Sequence, residues 1–271
     1  MGRGIYGRPM RWVWMVAALA LTSGTALAGP PFQTDDPEPV EYHHFEMYAF
    51  ELSDTTSGGT TLEVPAYEVN WGALPGLQLH LVVPLVANFP SDGSREYGIG
   101  DTELGAKYRF VKETKWLPQV GIFPFIELPS GNSDKGLGVG TTWYRLPLWL
   151  QRSWGPWTTY GGGGEAVVPG SKDYPFAGWL VQREINKKLT LGGELFGHGQ
   201  MAPDSDSSTM LDAGGIYEFR DGFDLLFTAG HSVAGQSETY TYLAVYWTWG
   251  PKSAKGSSGG LSGMLQKMRL R

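Results

Sequence analysis

Apolar and polar residues alternate through the stretch from Gly100 to Phe110. The polar set consists of Asp101, Glu103, Gly105, Lys107 and Arg109, and the apolar set consists of Thr102, Leu104, Ala106, Tyr108 and Phe110. A period of two puts successive side chains on opposite faces, so the stretch predicts a β-strand with one charged and one apolar face. A membrane barrel turns its apolar face toward lipid and its polar face toward the lumen, whereas a soluble sheet protein does the reverse. This strand alone fits either arrangement.

Similar runs recur about twelve times along the chain. They lie at 42–53, 60–71, 77–88, 100–111, 118–128, 141–151, 157–168, 176–185, 189–198, 210–219, 223–231 and 240–249. Most have the length that a tilted strand needs to cross a bilayer. Short turns alternate with longer polar loops between them, which is typical of an outer-membrane barrel. The pattern predicts an all-β fold, an antiparallel transmembrane β-barrel of about 12 strands with both termini in the periplasm.

Four prolines fall inside these runs, at Pro65, Pro84, Pro124 and Pro147. Proline has no N–H to donate to a strand ladder, and a closed barrel has no free edge where that loss is harmless. We therefore expect these prolines at bulges or near strand ends.

The first 28 residues have the features of a secretory signal peptide. Arg3, Arg8 and Arg11 precede a short apolar run at 12–21, and Ala26 and Ala28 have the small-x-small spacing of a cleavage site. The predicted organisation is a signal peptide at 1–28, a periplasmic Pro-rich leader at 29–41, the barrel at 42–249 and a flexible basic tail at 250–271. This predicts export to the bacterial outer membrane, with membrane lipid and the barrel-assembly machinery as partners.

Composition agrees with an exported barrel. The chain has 39 glycines and no cysteine, so its stability would come from a closed hydrogen-bond ladder and not from disulfides. Without the signal peptide, 18 basic and 27 acidic residues remain, and five of the basic residues lie in the tail. The barrel and leader together therefore carry a net charge of −14, which argues against nucleic acid as a partner.

Four segments resemble a known family. They are the mature start at 29–42, the stretch Gly-Ile-Gly-Asp-Thr-Glu-Leu-Gly-Ala-Lys-Tyr-Arg-Phe at 98–110, Pro-Phe-Ile-Glu-Leu-Pro-Ser-Gly-Asn at 124–132, and Leu-Thr-Leu-Gly-Gly-Glu-Leu at 189–195. In these the chain is similar to the bacterial outer-membrane β-barrel family of phenol-degradation meta-pathway transporters. The resemblance implies an outer-membrane channel for passive passage of small solutes, with hydrophobic or aromatic compounds favoured.

Nine charged or polar side chains are predicted to line the lumen as a candidate solute pathway. They are Glu46, Glu68, His80, Asp101, Glu103, Lys107, Arg109, Arg145 and Glu194. Charge inside a narrow lumen must be paired or hydrated. Two interpretations stay open: a salt-bridged plug that holds a small barrel shut, or a charged constriction that selects solutes.

Other chemistry is weakly indicated. The five histidines have no metal-ligand spacing and there is no cysteine, so we expect neither a metal site nor a cofactor. Residues 230–234 superficially resemble a nucleophile elbow but lack the strand–turn–helix context that this motif needs. We therefore expect no enzyme. The alternatives are a lipid-modifying enzyme with His231 and Ser232 at the barrel rim, or a closed structural barrel.

The basic tail has a helical spacing of apolar residues at Leu261, Met264, Leu265 and Met268. Its positive charge and the acidic barrel suggest two alternatives to a disordered tail: binding at an anionic membrane surface, or a plug that enters the lumen from the periplasm.

Overall fold

A computed structural model of the chain describes residues 31–203 and 205–251. The described residues form fourteen antiparallel strands and one short 3-10 turn at Ser133–Lys135. The strands are β1 Phe45–Thr56, β2 Gly59–Leu74, β3 Leu77–Pro90, β4 Glu96–Ile99, β5 Thr102–Val111, β6 Gln119–Ile122, β7 Phe125–Leu128, β8 Trp143–Trp154, β9 Trp157–Val167, β10 Tyr174–Asn186, β11 Leu189–His198, β12 Ser208–Arg220, β13 Phe223–Gly235 and β14 Glu238–Trp249. The predicted signal peptide and nearly all of the basic tail lie outside these residues.

The fourteen segments make a closed barrel of twelve strands. β4 and β5 both pair with β3, and β6 and β7 both pair with β5 and β8, so each of these pairs is one interrupted strand. The barrel closes where β1 pairs with β14 along its whole length, from Phe45 opposite Trp249 to Thr56 opposite Glu238. The predicted all-β antiparallel barrel of about 12 strands is confirmed.

The prolines explain the interruptions. Pro124 lies between β6 and β7, and Pro65 lies at a register shift between β2 and β3. Pro84 and Pro147 lie inside β3 and β8, which differs from the expected bulge or strand end. Each of these two faces a gap in its neighbour, the first between β4 and β5 and the second between β6 and β7. The missing N–H groups therefore fall where the wall already lacks a partner.

The outer face is apolar, as the alternation predicted. Leu104, Tyr108 and Phe110 of β5 are 42–50% exposed, whereas Glu103 on the opposite face is 1% exposed. Trp71 and Trp249 stack on either side of Phe45 near the short-turn end, as expected for an interfacial aromatic girdle. Among residues 31–203 and 205–251, no helix is long and apolar enough to cross a membrane.

The leader is not confined to the periplasm, and this corrects the sequence-based location. Residues 32–35 are almost completely buried and contact side chains of strands on opposite sides of the barrel. The proline-rich composition excludes regular structure, and the even number of strands predicted that this segment lies on the periplasmic side. That composition also suits an extended segment inside a polar lumen, where side chains of the wall satisfy its backbone.

Candidate functional site: the barrel lumen

The nine predicted lumen residues mostly lie inside the barrel. Eight of them are less than 9% exposed, and the ninth, Arg109, has a side chain 15% exposed. Their role in a solute pathway stays a prediction. The structure divides them into a carboxylate–histidine network, a glutamate bonded to two tyrosines, a loop anchor, contacts to the leader and one arginine without an ion-pair partner among the described residues.

The network crosses three neighbouring strands. His80 of β3 contacts the Glu103 carboxylate through Nε2 at 2.6 Å and the Asn70 amide oxygen through Nδ1 at 2.7 Å. Asn70 donates its amide N–H to Glu68 at 2.7 Å. The ring edge of His80 also meets the face of Phe123. Because every member is bonded to another, this cluster is fixed in place and leaves little freedom to bind a solute.

Glu46 forms a second bonded group close by. Its carboxylate accepts hydrogen bonds from the hydroxyls of Tyr246 at 2.9 Å and Tyr48 at 3.3 Å. The two tyrosine rings pack with their centroids 4.7 Å apart. Glu46 is thus held by the wall next to it.

Asp101 is an anchor for a loop. It lies between β4 and β5, and its carboxylate accepts the backbone N–H of Gly131 at 2.8 Å and of Val139 at 2.6 Å. Leu137 in the same loop is buried. The loop between β7 and β8 is thereby held at the long-loop end of the barrel, and this accounts for Asp101 without any contact to a solute.

The leader enters the lumen from the short-turn end. The backbone N–H of His43 donates to Gly72 O at 2.8 Å, and Gly72 N–H donates to His44 O at 2.9 Å, beside the turn between β2 and β3. Further in, Val40 N–H donates to the side-chain oxygen of Gln78 at 3.0 Å. These bonds set the direction of the chain toward the middle of the barrel.

Acidic residues of the leader meet the two cations of β5. The Lys107 ammonium lies 2.9 Å from Asp35 Oδ1 and 3.8 Å from Asp36 Oδ1. Arg109 forms an ion pair with Glu38. These two cations, which the sequence assigned to a solute pathway, are therefore paired with acids of the protein itself.

The tip of the leader is held by acids on the opposite wall. Glu194 of β11 accepts the backbone N–H groups of Gln33, at 2.9 Å, and of Thr34. The Gln33 amide also donates to Asp212 at 3.1 Å. Phe32 is 1% exposed and is buried in one apolar cluster with Tyr160 and Leu180. The tip thus combines a satisfied backbone with an apolar anchor.

Glycines on the inner wall make room for the leader. A Cβ at Gly178 would lie 1.9 Å from Thr34 Oγ1, and one at Gly121 would lie 3.0 Å from Pro37 Cβ. Any larger residue at Gly178 would overlap the leader, since heavy atoms do not approach so closely. The wall and the leader are therefore shaped to each other.

Burial changes the acidity of the leader carboxyls. It raises the pKa of Asp35 to about 7, an effect that the Lys107 ammonium partly offsets. Burial also raises the pKa of Glu38, against the attraction of Arg109. Each carboxyl therefore binds a proton more readily in the docked leader than in a free one.

Arg145 differs from the other two lumen cations. Its guanidinium lies 3.9 Å from the ring centroid of Phe176 and 5.8 Å from those of Phe125 and Phe196. Among the residues that the structure describes, no carboxylate lies within 4 Å of it. Arg145 lines a cavity at the long-loop end, above Gln33 of the leader.

Sequence reasoning missed the leader as a part of the lumen. The signal was present in the acids of the leader, which have the opposite charge to the two inward cations of β5, and in Phe32, a large apolar residue that a solvated segment would leave exposed. Recognising either needs the distance between leader and strand, which no local pattern contains.

His231 and Ser232 at the rim do not form a nucleophile–base pair. His231 contacts the Thr239 hydroxyl through Nδ1 at 2.8 Å, whereas the Ser232 hydroxyl accepts the backbone N–H of Glu238 at 3.0 Å. As neighbours in a strand, His231 and Ser232 point to opposite faces. This geometry does not support the alternative of a rim-sited enzyme.

Comparisons with known proteins agree with this fold. A family model described as "Putative MetA-pathway of phenol degradation" matches residues 47–248. The COG4313 outer-membrane channel from Pseudomonas putida F1 is similar in structure, with a TM-score of 0.65 and 14% identity over 79% of this chain and 98% of that chain. No match was found among curated proteins.

Two further solved structures are porins. KdgM in complex with disordered oligogalacturonate has a TM-score of 0.52 and 11% identity, over 74% of this chain and 99% of that one. NanC has a TM-score of 0.52 and 10% identity, over 74% and 98%. With the apolar outer face, these likenesses confirm the predicted transmembrane β-barrel fold.

Proposed function

The chain belongs to the family described as "Putative MetA-pathway of phenol degradation", and we propose that it is an outer-membrane channel for passive passage of small solutes, closed by its own N-terminal leader. Its fold is shared with an outer-membrane channel and with porins. The family description favours aromatic or hydrophobic compounds as the solutes. No covalent chemistry is part of the proposal.

The observation that carries the proposal is the leader inside the lumen. It bridges β5 on one side, through Lys107 and Asp35, and β11 on the other, through Glu194 and Thr34. A segment bound to both walls obstructs the space between them. Passage of a solute therefore requires the leader to move. In this proposal the salt-bridged plug is the closed state of the barrel, and the selective lumen is its open state.

The leader can be locked in place by a disulfide. The chain has no cysteine of its own, and a Cβ built at Gly178 lies 3.2 Å from Thr34 Cβ, close to the spacing of a disulfide. We expect the oxidised double variant Thr34→Cys, Gly178→Cys to show little conductance in planar bilayers. Addition of a reductant should restore conductance at least to the wild-type level. A chain without residues 29–40 should conduct more than either.

The matched control is Thr34→Cys alone, whose conductance should not respond to oxidant or reductant. Equal conductance of the oxidised double variant and the truncated chain would show that solutes pass beside the leader, which would contradict the plug. If the truncated chain also fails to conduct while its barrel remains folded, the alternative of a closed structural barrel replaces the channel.

A further inference from the structure

We propose that the cavity around Arg145 is a binding site for small aromatic monocarboxylates, at the outer entrance of the lumen. The proposal rests on the proposed channel function for its purpose, since it names the class of solute. Its evidence is separate, because it comes from the charge and the aromatic lining of the cavity and not from the closure of the lumen by the leader.

The cavity lies at the long-loop end of the barrel. Tyr174 begins β10, His198 ends β11 and Glu238 begins β14, and all three line it together with Met201 of the loop after β11. Its floor is Gln33 of the leader. A solute that arrives from outside therefore meets this site before it meets the plug.

Arg145 gives the site its charge. The residue is 4% exposed, and no ion pair joins it to any carboxylate within the described parts of the chain. Lys107 and Arg109, by contrast, are paired with acids of the leader. The carboxylates of Glu103, Asp35 and Glu194 act on Arg145 only from beyond ion-pair distance. A buried guanidinium without a direct partner is unfavourable, and a bound anion would offset that cost. Its planar fork of N–H donors matches a carboxylate in particular.

The aromatic lining selects a ring. Phe176 covers one face of the guanidinium at 3.9 Å, which leaves the edge N–H groups as the donors for a ligand. Phe196 and Tyr174 line the cavity beside it, and aromatic pairs prefer stacked or edge-on contact. A carboxylate attached to a planar ring satisfies the cation and the apolar walls together.

The opposite side of the cavity limits the ligand to one negative charge. The Glu238 carboxylate lies there, 3.3 Å from Nε2 of His198. A second carboxylate on the ligand would approach this acid and be repelled. Dicarboxylates should therefore bind less tightly than monocarboxylates of similar size.

Binding of a ring in the cavity requires the lining side chains to move. The enclosed space has room for roughly one water molecule, so a ring enters only if the lining opens. Met201 is the suitable side chain, because it is flexible, is only partly buried and belongs to a loop.

The test is calorimetric titration of the refolded full-length protein with benzoate. Benzoate should bind at least tenfold more tightly than acetate, which lacks the ring, phenol, which lacks the carboxylate, or phthalate, which carries two carboxylates. Arg145→Gln should weaken benzoate binding at least tenfold. Arg220→Gln is the matched control, because this arginine also lies over a phenylalanine ring, that of Phe223, but outside the cavity; it should leave binding unchanged.

Phe176→Leu provides a second variant in case Arg145→Gln does not fold. It should weaken benzoate binding and leave acetate binding unchanged. Unaltered benzoate binding in either folded variant, or equal binding of benzoate and acetate by the wild type, would overturn the proposal. Because binding is measured without transport, this outcome is separate from failure of the channel in bilayers.

Discussion

The Lys107 ammonium of β5 lies 2.9 Å from Asp35 Oδ1 of the leader, and both side chains are more than nine-tenths buried. The two residues are 72 positions apart in the chain. Their ion pair ties the lumen wall to the segment that fills the lumen. The cation therefore serves leader docking, and it faces a solute only after the leader has left.

Removal of one partner of this pair should loosen the leader and leave the barrel folded. Loss of one member of a buried pair costs about 3–5 kcal/mol, because the other charge stays buried alone. With Thr34→Cys as a reporter, Lys107→Met should raise the thiol-labelling rate at least tenfold, and Asp35→Asn in the same protein should recover part of the difference. Lys115→Met, in an exposed turn, is the control. Unfolding of the barrel by Lys107→Met alone would contradict this assignment.

The opposite face of β5 should respond in the opposite way. Leu104 is 42% exposed on the lipid side of the wall. Leu104→Arg should lower the free energy of unfolding by about 2–4 kcal/mol if it lies near the bilayer midplane. Urea unfolding of protein refolded in lipid vesicles measures this change, with Leu104→Ala as the uncharged control. If Leu104→Arg leaves the free energy of unfolding unchanged, the assignment of the lipid and lumen faces of β5 is wrong.

The barrel was predictable because the pattern that defines each strand lies within that strand's own sequence. Each strand carries its own alternation, and the faces of β5 follow from the sequence between Thr102 and Val111 alone. The twelve-strand count held even though β4 and β5 are separate segments, because both pair with β3 and occupy one place in the wall. The alternation shifts by one residue between them, where Gly100 and Asp101 are both buried.

The arrangement inside the lumen was not predictable in the same way. Alternation places Glu194 and Lys107 inside but does not say which charges meet. Their partners come from the leader, where Asp35 and Thr34 have no periodicity to read. Arg145 and His198 meet across the cavity only because the barrel closes, and closure sets distances that no single strand contains.

The loops around Asp92, Asp134 and Asp206 should face the outside of the cell. All three residues are exposed, and they lie in the longer connections of the barrel. A cysteine at each position should react with a membrane-impermeant reagent on intact cells. Cysteine at Asp221, in a short turn, is the control and should react only after the outer membrane is broken. Labelling of the Asp221 cysteine and not of the loop cysteines on intact cells would show that the barrel has the opposite orientation.

Leader docking should weaken as pH rises from about 4 to 7. Burial raises the pKa of Asp35 from its ordinary value near 3.8 to about 7, so the docked state binds a proton that the free leader has lost. The extra docking free energy that the leader has in acid is therefore lost as pH rises through this window. Above the window, docking no longer depends on the protonation of Asp35. The labelling rate of Thr34→Cys, corrected for thiol ionisation with a free thiol, should rise between pH 5 and 7.5. Adding Asp35→Asn should make the labelling rate nearly independent of pH. If the rate rises equally with and without Asp35→Asn, the pH dependence belongs to another titratable group.

Gly178→Ala should displace the leader tip by contact alone. Its Cβ would lie 1.9 Å from Thr34 Oγ1 and 2.8 Å from the Phe196 ring, so the leader or the ring must shift. Gly193→Ala on the neighbouring strand is a matched control, because its Cβ meets nothing closer than 3.5 Å. We expect Gly178→Ala to increase bilayer conductance toward that of the truncated chain, and Gly193→Ala to conduct as the wild type does. Adding Gly178→Ala to the truncated chain should change nothing further, since the leader it displaces is gone. A conductance increase that persists in the truncated chain would locate the effect in the wall around Phe196 and not in the leader.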